Sequence, residues 1–176
     1  MTRVDPLFGD GAVTGQAATD AYRSAISRLP AGVAVVAVRW RGLDHAMTAS
    51  AVTSVSLEPP MLLFCVHQDA RLREALDDVD TWAVSVLADD QAPVADWLAS
   101  PGRPAIGQLG RVPHEPAPRS GAAWVTGAAA WFECRTAQIV AAGDHDLVVG
   151  QVLESREGDA EAGSLVHLRR RVRGLR

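Results

Sequence analysis

The chain has 176 residues, the size of one ordinary domain, and its 48% hydrophobic and 22% charged residues are typical of a soluble globular protein. Its net charge is −4, whereas nucleic-acid-binding proteins usually carry a basic excess, so we expect no nucleic-acid partner. All 17 basic side chains are arginine, and the absence of lysine excludes both Schiff-base catalysis and Walker-type phosphate binding.

Nothing in the sequence indicates a membrane, a secretory route or a metal. No apolar run reaches the roughly 18–20 residues of a membrane span, and the first residues lack the apolar core of a signal peptide. Cys65 and Cys134 lie in separate apolar runs, outside any zinc-ligand spacing. We therefore expect a cytoplasmic protein with reduced thiols, no metal site and no membrane partner. Residues 1–18 are expected to be a flexible lead-in, and residues 19–176 a single domain.

The residue patterns predict mostly strands. In chain order they indicate a helix ending before Pro30, strands over 32–40, 45–57 and 61–67, a helix over 70–79, a strand over 81–88, a helix after Asp90, one or two strands over 122–143 joined through Gly127, and single strands over 145–157 and 164–175. The expected helix caps are Thr19 or Asp20, Asp69, and Asp89-Asp90. The proline-rich segment (residues 100–121) is expected to be irregular, and the five tryptophans to pack in the core.

About seven strands, mostly joined by hairpins, indicate a mainly β fold. The chain shows no βαβ alternation and no GxGxxG after a strand, which argues against a Rossmann domain. We expect an antiparallel barrel with a few peripheral helices.

The stretch from Met47 to Pro60 is the most informative part of the chain. It carries five hydroxyl side chains within nine residues, separated by small apolar ones. Small side chains let a flat ligand approach the backbone polar groups of a strand, and hydroxyls are neutral donors to a phosphate or a polyol. The alternative is an ordinary half-exposed strand rich in Thr and Val, and the pattern alone favours that alternative.

Together with other segments, this stretch resembles the flavin reductase-like family, the small reductase components of two-component flavin monooxygenases. The matching segments follow in order and cover about residues 20–175, at 23–36, 45–60, 85–91, 130–134, 143–152 and 165–166. The resemblance implies an antiparallel split β-barrel homodimer with FMN or FAD bound near the subunit interface. It also implies hydride transfer from NADH or NADPH to flavin N5, and diffusion of reduced flavin to a partner flavin-dependent monooxygenase.

Carried over residue by residue, the resemblance assigns three stretches to the flavin. The ring segment, expected to meet the isoalloxazine through its backbone, comprises Met47, Thr48, Ala49, Ser50 and Ala51. The ribityl and phosphate end is assigned to Ser54, Val55 and Ser56, and to Cys65, Val66, His67, Gln68 and Arg71. Relatives often have a Ser or Thr after the 61–66 strand, so Asp69 is an unusual neighbour for a phosphate.

The turn Gly143-Asp144-His145 is the second expected contact. A lone histidine in a turn is more often solvated than functional. In relatives, however, this turn lies at the nicotinamide face of the flavin, so the resemblance implies that His145 orients NAD(P)H without acting as an acid or base. Asp144 is expected to fix the imidazole by a hydrogen bond.

The C-terminal arginine-rich run carries the last candidate. Arg171 is expected to meet a nucleotide phosphate, and the alternative is a solvated, charged edge strand. Val172 stands where relatives often have an aromatic residue. With Asp69, it favours the main alternative function, a non-catalytic flavin- or chromophore-binding module on the same fold.

Two further alternatives are weaker. An oxidase of the pyridoxamine-phosphate type needs a lysine that this chain lacks, and an interaction protein without a ligand conflicts with the ordered motifs. The sequence leaves FMN against FAD and NADH against NADPH open.

Overall fold

The computed structural model describes residues 15–104 and 106–175, and it confirms a mainly β, antiparallel fold with three helices among these residues. The helices are α1 (Gln16–Ile26), α2 (Arg71–Asp78) and α3 (Ala92–Ala99). The strands are β1 (Ala31–Gly32), β2 (Ala34–Trp40), β3 (Leu43–Ala49), β4 (Val52–Leu57), β5 (Pro60–His67), β6 (Thr81–Val86), β7 (His114–Pro116), β8 (Ala123–Val125), β9 (Ala130–Ala142), β10 (His145–Glu157), β11 (Ser164–Leu168) and β12 (Arg171–Leu175).

The main sheet has seven antiparallel strands in the order β3-β2-β6-β9-β10-β5-β4. Its two edge strands, β3 and β4, are joined by only Ser50 and Ala51, so the sheet curls until its edges meet at this junction. The Ala51 carbonyl accepts a hydrogen bond from Cys65 N–H at 3.0 Å, but β3 and β4 form no ladder with each other among the described residues. The result is a split barrel. Smaller sheets, β1-β11-β12 and β7-β8, complete the fold.

Strand β2 lies at the centre of the core because both of its faces are covered. Alternate side chains point to opposite faces of a strand. Val36 and Val38 pack in one cluster with Phe64, Trp82 and α2, whereas Val35 packs in another cluster with α3. This double burial explains why the run 32–40 is almost entirely apolar.

Two predicted strands are in fact pairs of strands. The run 45–57 divides at Ser50-Ala51, and the run 164–175 is a hairpin that turns at Arg169-Arg170. Both arginines adopt positive φ, 52° and 61°, a conformation that residues other than glycine rarely take. Neither turn contains the glycine or proline that marks a turn in a sequence, so the patterns suggested continuous strands. The turns at Arg41-Gly42 and Gly143-Asp144, and the break at Gly127, are confirmed.

The predicted helix caps are wrong. Helix α1 begins at Gln16, inside the expected lead-in, most of which lies outside the described residues. Its N-cap is Gly15, and those of α2 and α3 are Ala70 and Gln91. None of the three makes a side-chain hydrogen bond to its helix. Helix α2 therefore starts with backbone N–H groups that no side chain caps.

The tryptophans pack as predicted. Trp40, Trp82, Trp124 and Trp131 are buried, and Trp97 is partly buried against the cluster that contains α3. Within the described part of the chain, no helix has the length and apolar character needed to cross a bilayer.

Candidate functional site

Two histidines face each other where β5 ends and β10 begins. His67 and His145 are direct partners across these strands, and their ring centroids lie 5.2 Å apart. The Nδ1 of His145 lies 2.7 Å from Oδ1 of Asp144. A carboxylate can only accept, so this His145 nitrogen carries the hydrogen. The hydrogen bond from His145 holds the pKa of Asp144 below its ordinary value. Asp144 thus fixes the ring of His145, as predicted, and leaves its Nε2 open.

The orientation of His67 is set by the turn that follows it. The backbone N–H of Asp69 donates to Nδ1 of His67 at 3.1 Å, so a neutral His67 carries its hydrogen on Nε2. That nitrogen lies 3.9 Å from Oδ2 of Asp144. Asp69 therefore acts through its backbone, and its side chain points into solvent. The imidazoles of His67 and His145 and the carboxylate of Asp144 thus lie together. Such polar groups can form hydrogen bonds with the amide of a flat ring.

A buried ion pair between Arg73 and Asp146 stabilises the turn that follows His67. Arg73 donates through Nε to Asp146, and the Gln68 amide donates to the same carboxylate at 2.9 Å. Burial raises the pKa of Asp146, but the hydrogen bonds from Arg73 and Gln68 and the charge of Arg73 outweigh it, so the net shift is downward. Gln68, a predicted flavin contact, is thus engaged inward as an anchor for the turn.

The ring segment lies at the junction of the two sheet edges. Ala49 is buried, and the Thr48 hydroxyl donates to the Ala95 carbonyl at 2.7 Å, which ties β3 to α3. Ser50 and Ala51 are exposed, and the Ala51 carbonyl is already bonded to Cys65 N–H.

A cavity of about 590 Å³ opens beside this junction, between β3, α3 and the β11–β12 hairpin. Its lining includes Thr48, Ser50, Arg171 and Val172. This volume lies within the usual range for small-molecule sites, about 300–1,000 Å³. The structure therefore brings Arg171 together with the ring segment, although the two are more than 100 residues apart in the chain.

The remaining predicted flavin contacts differ in accessibility. Ser54 and Val55 are exposed on the open edge strand β4, and Ser56 accepts a local hydrogen bond from Glu58 N–H at 3.2 Å. Val66 is fully buried in the core, so only its backbone is available to a ligand. Cys65 is half-buried, and burial raises the pKa of its thiol.

Arg71 and Met47 line a second, smaller cavity at the N-terminus of α2, of about 50 Å³. Its lining also includes His45, Arg103 and Gln108. His45 has only 2% of its surface exposed, and burial together with the nearby charge of Arg71 lowers its pKa. Its Nδ1 and the Nε of Arg103 have no hydrogen-bond partner. No sequence pattern marks these residues, because only the tertiary fold brings them together.

No group of three or more His, Cys, Asp or Glu side chains suited to a metal ion occurs in the part of the chain that the structure describes.

Known proteins similar to this chain share both its sequence and its fold. The flavin reductase like domain family matches residues 26–176. An NADH-dependent FAD reductase of Streptomyces globisporus is 36% identical over 144 residues, covering 81% of this chain and 79% of the relative. An NADH-dependent FMN reductase, AsuE2, of Streptomyces nodosus subsp. asukaensis is 38% identical over 152 residues, covering 84% of this chain and 80% of the relative.

A solved structure agrees with these sequence matches. The flavin reductase component, BorF, of a bacterial two-component tryptophan halogenase superimposes with a TM-score of 0.83 at 39% identity, covering 89% of this chain and 98% of the other. The matches confirm the resemblance inferred from the ordered motifs, and with it the oxidoreductase class. The chain belongs to the flavin reductase-like domain family.

Proposed function

We propose that this protein reduces FMN or FAD with NADH or NADPH and supplies the reduced flavin to a partner flavin-dependent monooxygenase. One observation carries the proposal. The predicted nicotinamide turn and a predicted flavin segment, almost 80 residues apart in the chain, lie on paired strands with His145 directly opposite His67. Two relatives are NADH-dependent reductases, one of FAD and one of FMN, which supports these substrates for this protein. A third relative is the reductase component of a 4-hydroxyphenylacetate 3-monooxygenase, which supports a monooxygenase partner.

The residues present fit a flavin. The exposed Ser50, which lines the larger cavity, suits the ring edge, and the unpartnered Nε of Arg103 suits an anionic group. When bound, a flavin supplies the hydride acceptor, so the protein needs no acid or base of its own. Asp144 fixes His145, and the open Nε2 of His145 orients the nicotinamide so that the reacting rings stack.

The proposal includes a homodimer. Leu57 is 87% exposed and Val55 49% exposed on β4, and Met61 and Leu63 are half-buried on the neighbouring β5. Exposed apolar side chains on an unpaired edge strand are typical of a protein interface, and a second copy of the chain is the partner that the family resemblance favours. A cytoplasmic location is also proposed, because Cys65 and Cys134 are both free thiols.

The decisive test is anaerobic oxidation of NADH and NADPH by the purified protein, with FMN, FAD, riboflavin or no flavin added. We expect turnover that depends on added flavin, and the most active pair identifies the preferred substrates. Absence of turnover with every pair, in a protein that still quenches flavin fluorescence, contradicts the reductase and leaves the non-catalytic binding module.

The role of His145 is tested by H145A, with H114A as the matched control because His114 is exposed and outside the site. We expect H145A to raise the KM for the nicotinamide nucleotide about tenfold, the equivalent of one hydrogen-bonded contact, while the Kd for flavin stays unchanged. H114A should match the wild type. An H145A variant with unchanged KM removes His145 from the nucleotide site.

A further inference from the structure

The pairing of β5 with β10 brings the side chains of His67 and His145 as close as an antiparallel ladder allows. One position beyond the two histidines, the N–H of Gln68 donates to the Asp144 carbonyl at 3.0 Å. Hydrogen-bonded and non-hydrogen-bonded pairs alternate along such a ladder, so the histidines form a non-hydrogen-bonded pair, in which side chains lie closest. Their rings meet edge to face, with an interplanar angle of 76°. His67 therefore occupies one side of the space around the His145 ring.

Both histidines also face the same carboxylate. The Nδ1 of His145 lies 2.7 Å from Oδ1 of Asp144, and the Nε2 of His67 lies 3.9 Å from Oδ2 of the same residue. The second distance exceeds that of a direct hydrogen bond, and a small rotation of the carboxylate is enough to close it. Each oxygen of Asp144 thus faces one histidine, and the two histidines come from opposite strands.

Asp144 needs this second contact because it is poorly restrained by its own turn. Its side chain is 77% exposed, and an exposed ion pair adds little because two mobile side chains must be ordered to form it. His67 is itself held by the Asp69 N–H, which donates to Nδ1 at 3.1 Å. A carboxylate that is restrained from both sides holds the ring of His145 in a narrower range of orientations than a carboxylate restrained from one.

The nitrogens of the two histidines differ in what they leave for a ligand. In His67, Nδ1 accepts from the Asp69 N–H, and Nε2 faces Asp144. In His145, only Nδ1 is engaged, and Nε2 has no hydrogen-bond partner among the described residues. The family resemblance assigns His67 to the ribityl and phosphate end of the flavin, but a phosphate requires a free donor. The geometry favours a role for His67 in support of His145.

Resting on the proposed function, we propose that His67 is a positioning residue for the nicotinamide nucleotide. It holds Asp144 from the opposite strand and thereby keeps the open Nε2 of His145 directed at the nucleotide. His67 itself contacts neither the nucleotide nor the flavin phosphate.

The test is the steady-state oxidation of NADH by the purified protein at saturating FMN, with the Kd for FMN measured separately by fluorescence quenching. We expect H67A to raise the KM for NADH about threefold, the usual effect of one cross-strand contact, with kcat and the Kd for FMN unchanged. H67Q, which keeps an N–H donor within reach of Asp144, should restore the wild-type KM. H67F, which keeps an aromatic ring without the donor, should behave like H67A.

A double-mutant cycle tests whether His67 acts through His145. In the H145A background, H67A should cause no further rise in the KM for NADH, because there is no ring left to position. The matched control is H114A, which removes an exposed histidine outside the site and should leave every parameter at the wild-type value.

Four outcomes overturn the inference. An H67A variant that weakens FMN binding with an unchanged KM for NADH places His67 at the flavin. Equal effects of H67A with and without His145 show that His67 acts independently, and restoration by H67F instead of H67Q shows that ring packing acts in place of the contact with Asp144. A wild-type KM in H67A and H67F removes His67 from the site. Each of these outcomes occurs in an active reductase, whereas a wild type without flavin-dependent turnover contradicts the proposed function itself.

Discussion

The two ends of the proline-rich segment differ in whether nearby polar side chains have all their hydrogen-bond partners. At its C-terminal end, the carboxylate of Glu133, which is 0% exposed, accepts from Arg119 N–H at 3.1 Å and from both the N–H and the hydroxyl of Ser120. At its N-terminal end, Arg103 and His45 each retain an unpartnered nitrogen beside a cavity. A charge satisfied by the protein fixes the fold, whereas one left unsatisfied is available to a ligand. Glu133 is therefore a structural group, whereas Arg103 and His45 retain nitrogens that the fold does not use.

The largest expected effect comes from breaking a satisfied pair. D146N leaves the buried Arg73 without its main carboxylate partner, so we expect a loss of about 3 kcal/mol in the free energy of unfolding, measured by urea denaturation. D77N is the control, because Asp77 binds the same arginine from an exposed position, and it should cost about 0.5 kcal/mol.

The same pair also predicts a pH dependence. The pKa of Asp146 is lowered in the folded state, so its stabilisation is complete above the unfolded pKa of about 3.9 and is lost as the pH falls through the folded pKa. Urea denaturation between pH 3 and 7 should show a decline in acid that is shallower in D146N. Equal slopes for the two proteins would contradict this contribution.

A smaller loss is expected at Glu133. E133Q places an amide N–H₂ group among the backbone and hydroxyl donors of Arg119 and Ser120, so we expect a destabilisation of about 2 kcal/mol. E115Q serves as the exposed control and should lie within about 0.5 kcal/mol of the wild type. An E133Q variant as stable as E115Q would contradict the structural role of Glu133.

The smallest expected effect on stability is at the other end of the segment. R103Q removes a charge without a carboxylate partner together with hydrogen bonds to the Ala46 and Ser100 carbonyls, so we expect the flavin-free protein to lose about 1 kcal/mol in the free energy of unfolding. A loss of 2 kcal/mol or more would make Arg103 structural, like Glu133.

The sequence predicted the fold class and the order of the strands well, because burial on both faces of β2 and the glycines at 42, 127 and 143 leave direct patterns. It failed where the backbone departs from residue preference. Arg169 and Arg170 turn the chain at positive φ without a glycine, and the helices begin at residues without capping side chains. Both are consequences of tertiary packing, which overrides local propensity.

The ordered motifs, through their resemblance to a family, predicted the ring segment, His67 and the Asp144-His145 turn as site residues. The structure confirms the hydrogen bond between Asp144 and His145, whereas the ligand contacts of these residues stay predictions. Arg103 could not have been found in this way, because a single arginine among prolines is typical of a solvated loop. Only the fold shows that it reaches a cavity on β3.

The open edge of β4 has a consequence for handling the protein. This strand pairs with β5 on one side only, and its Leu57 is the most exposed of the large hydrophobic side chains in the described residues. An unprotected apolar edge strand is a template for uncontrolled strand addition, and β4 carries no charged residue that would oppose it. Covering this edge with a second copy would therefore serve colloidal stability, and variants that weaken the proposed dimer should precipitate before they unfold.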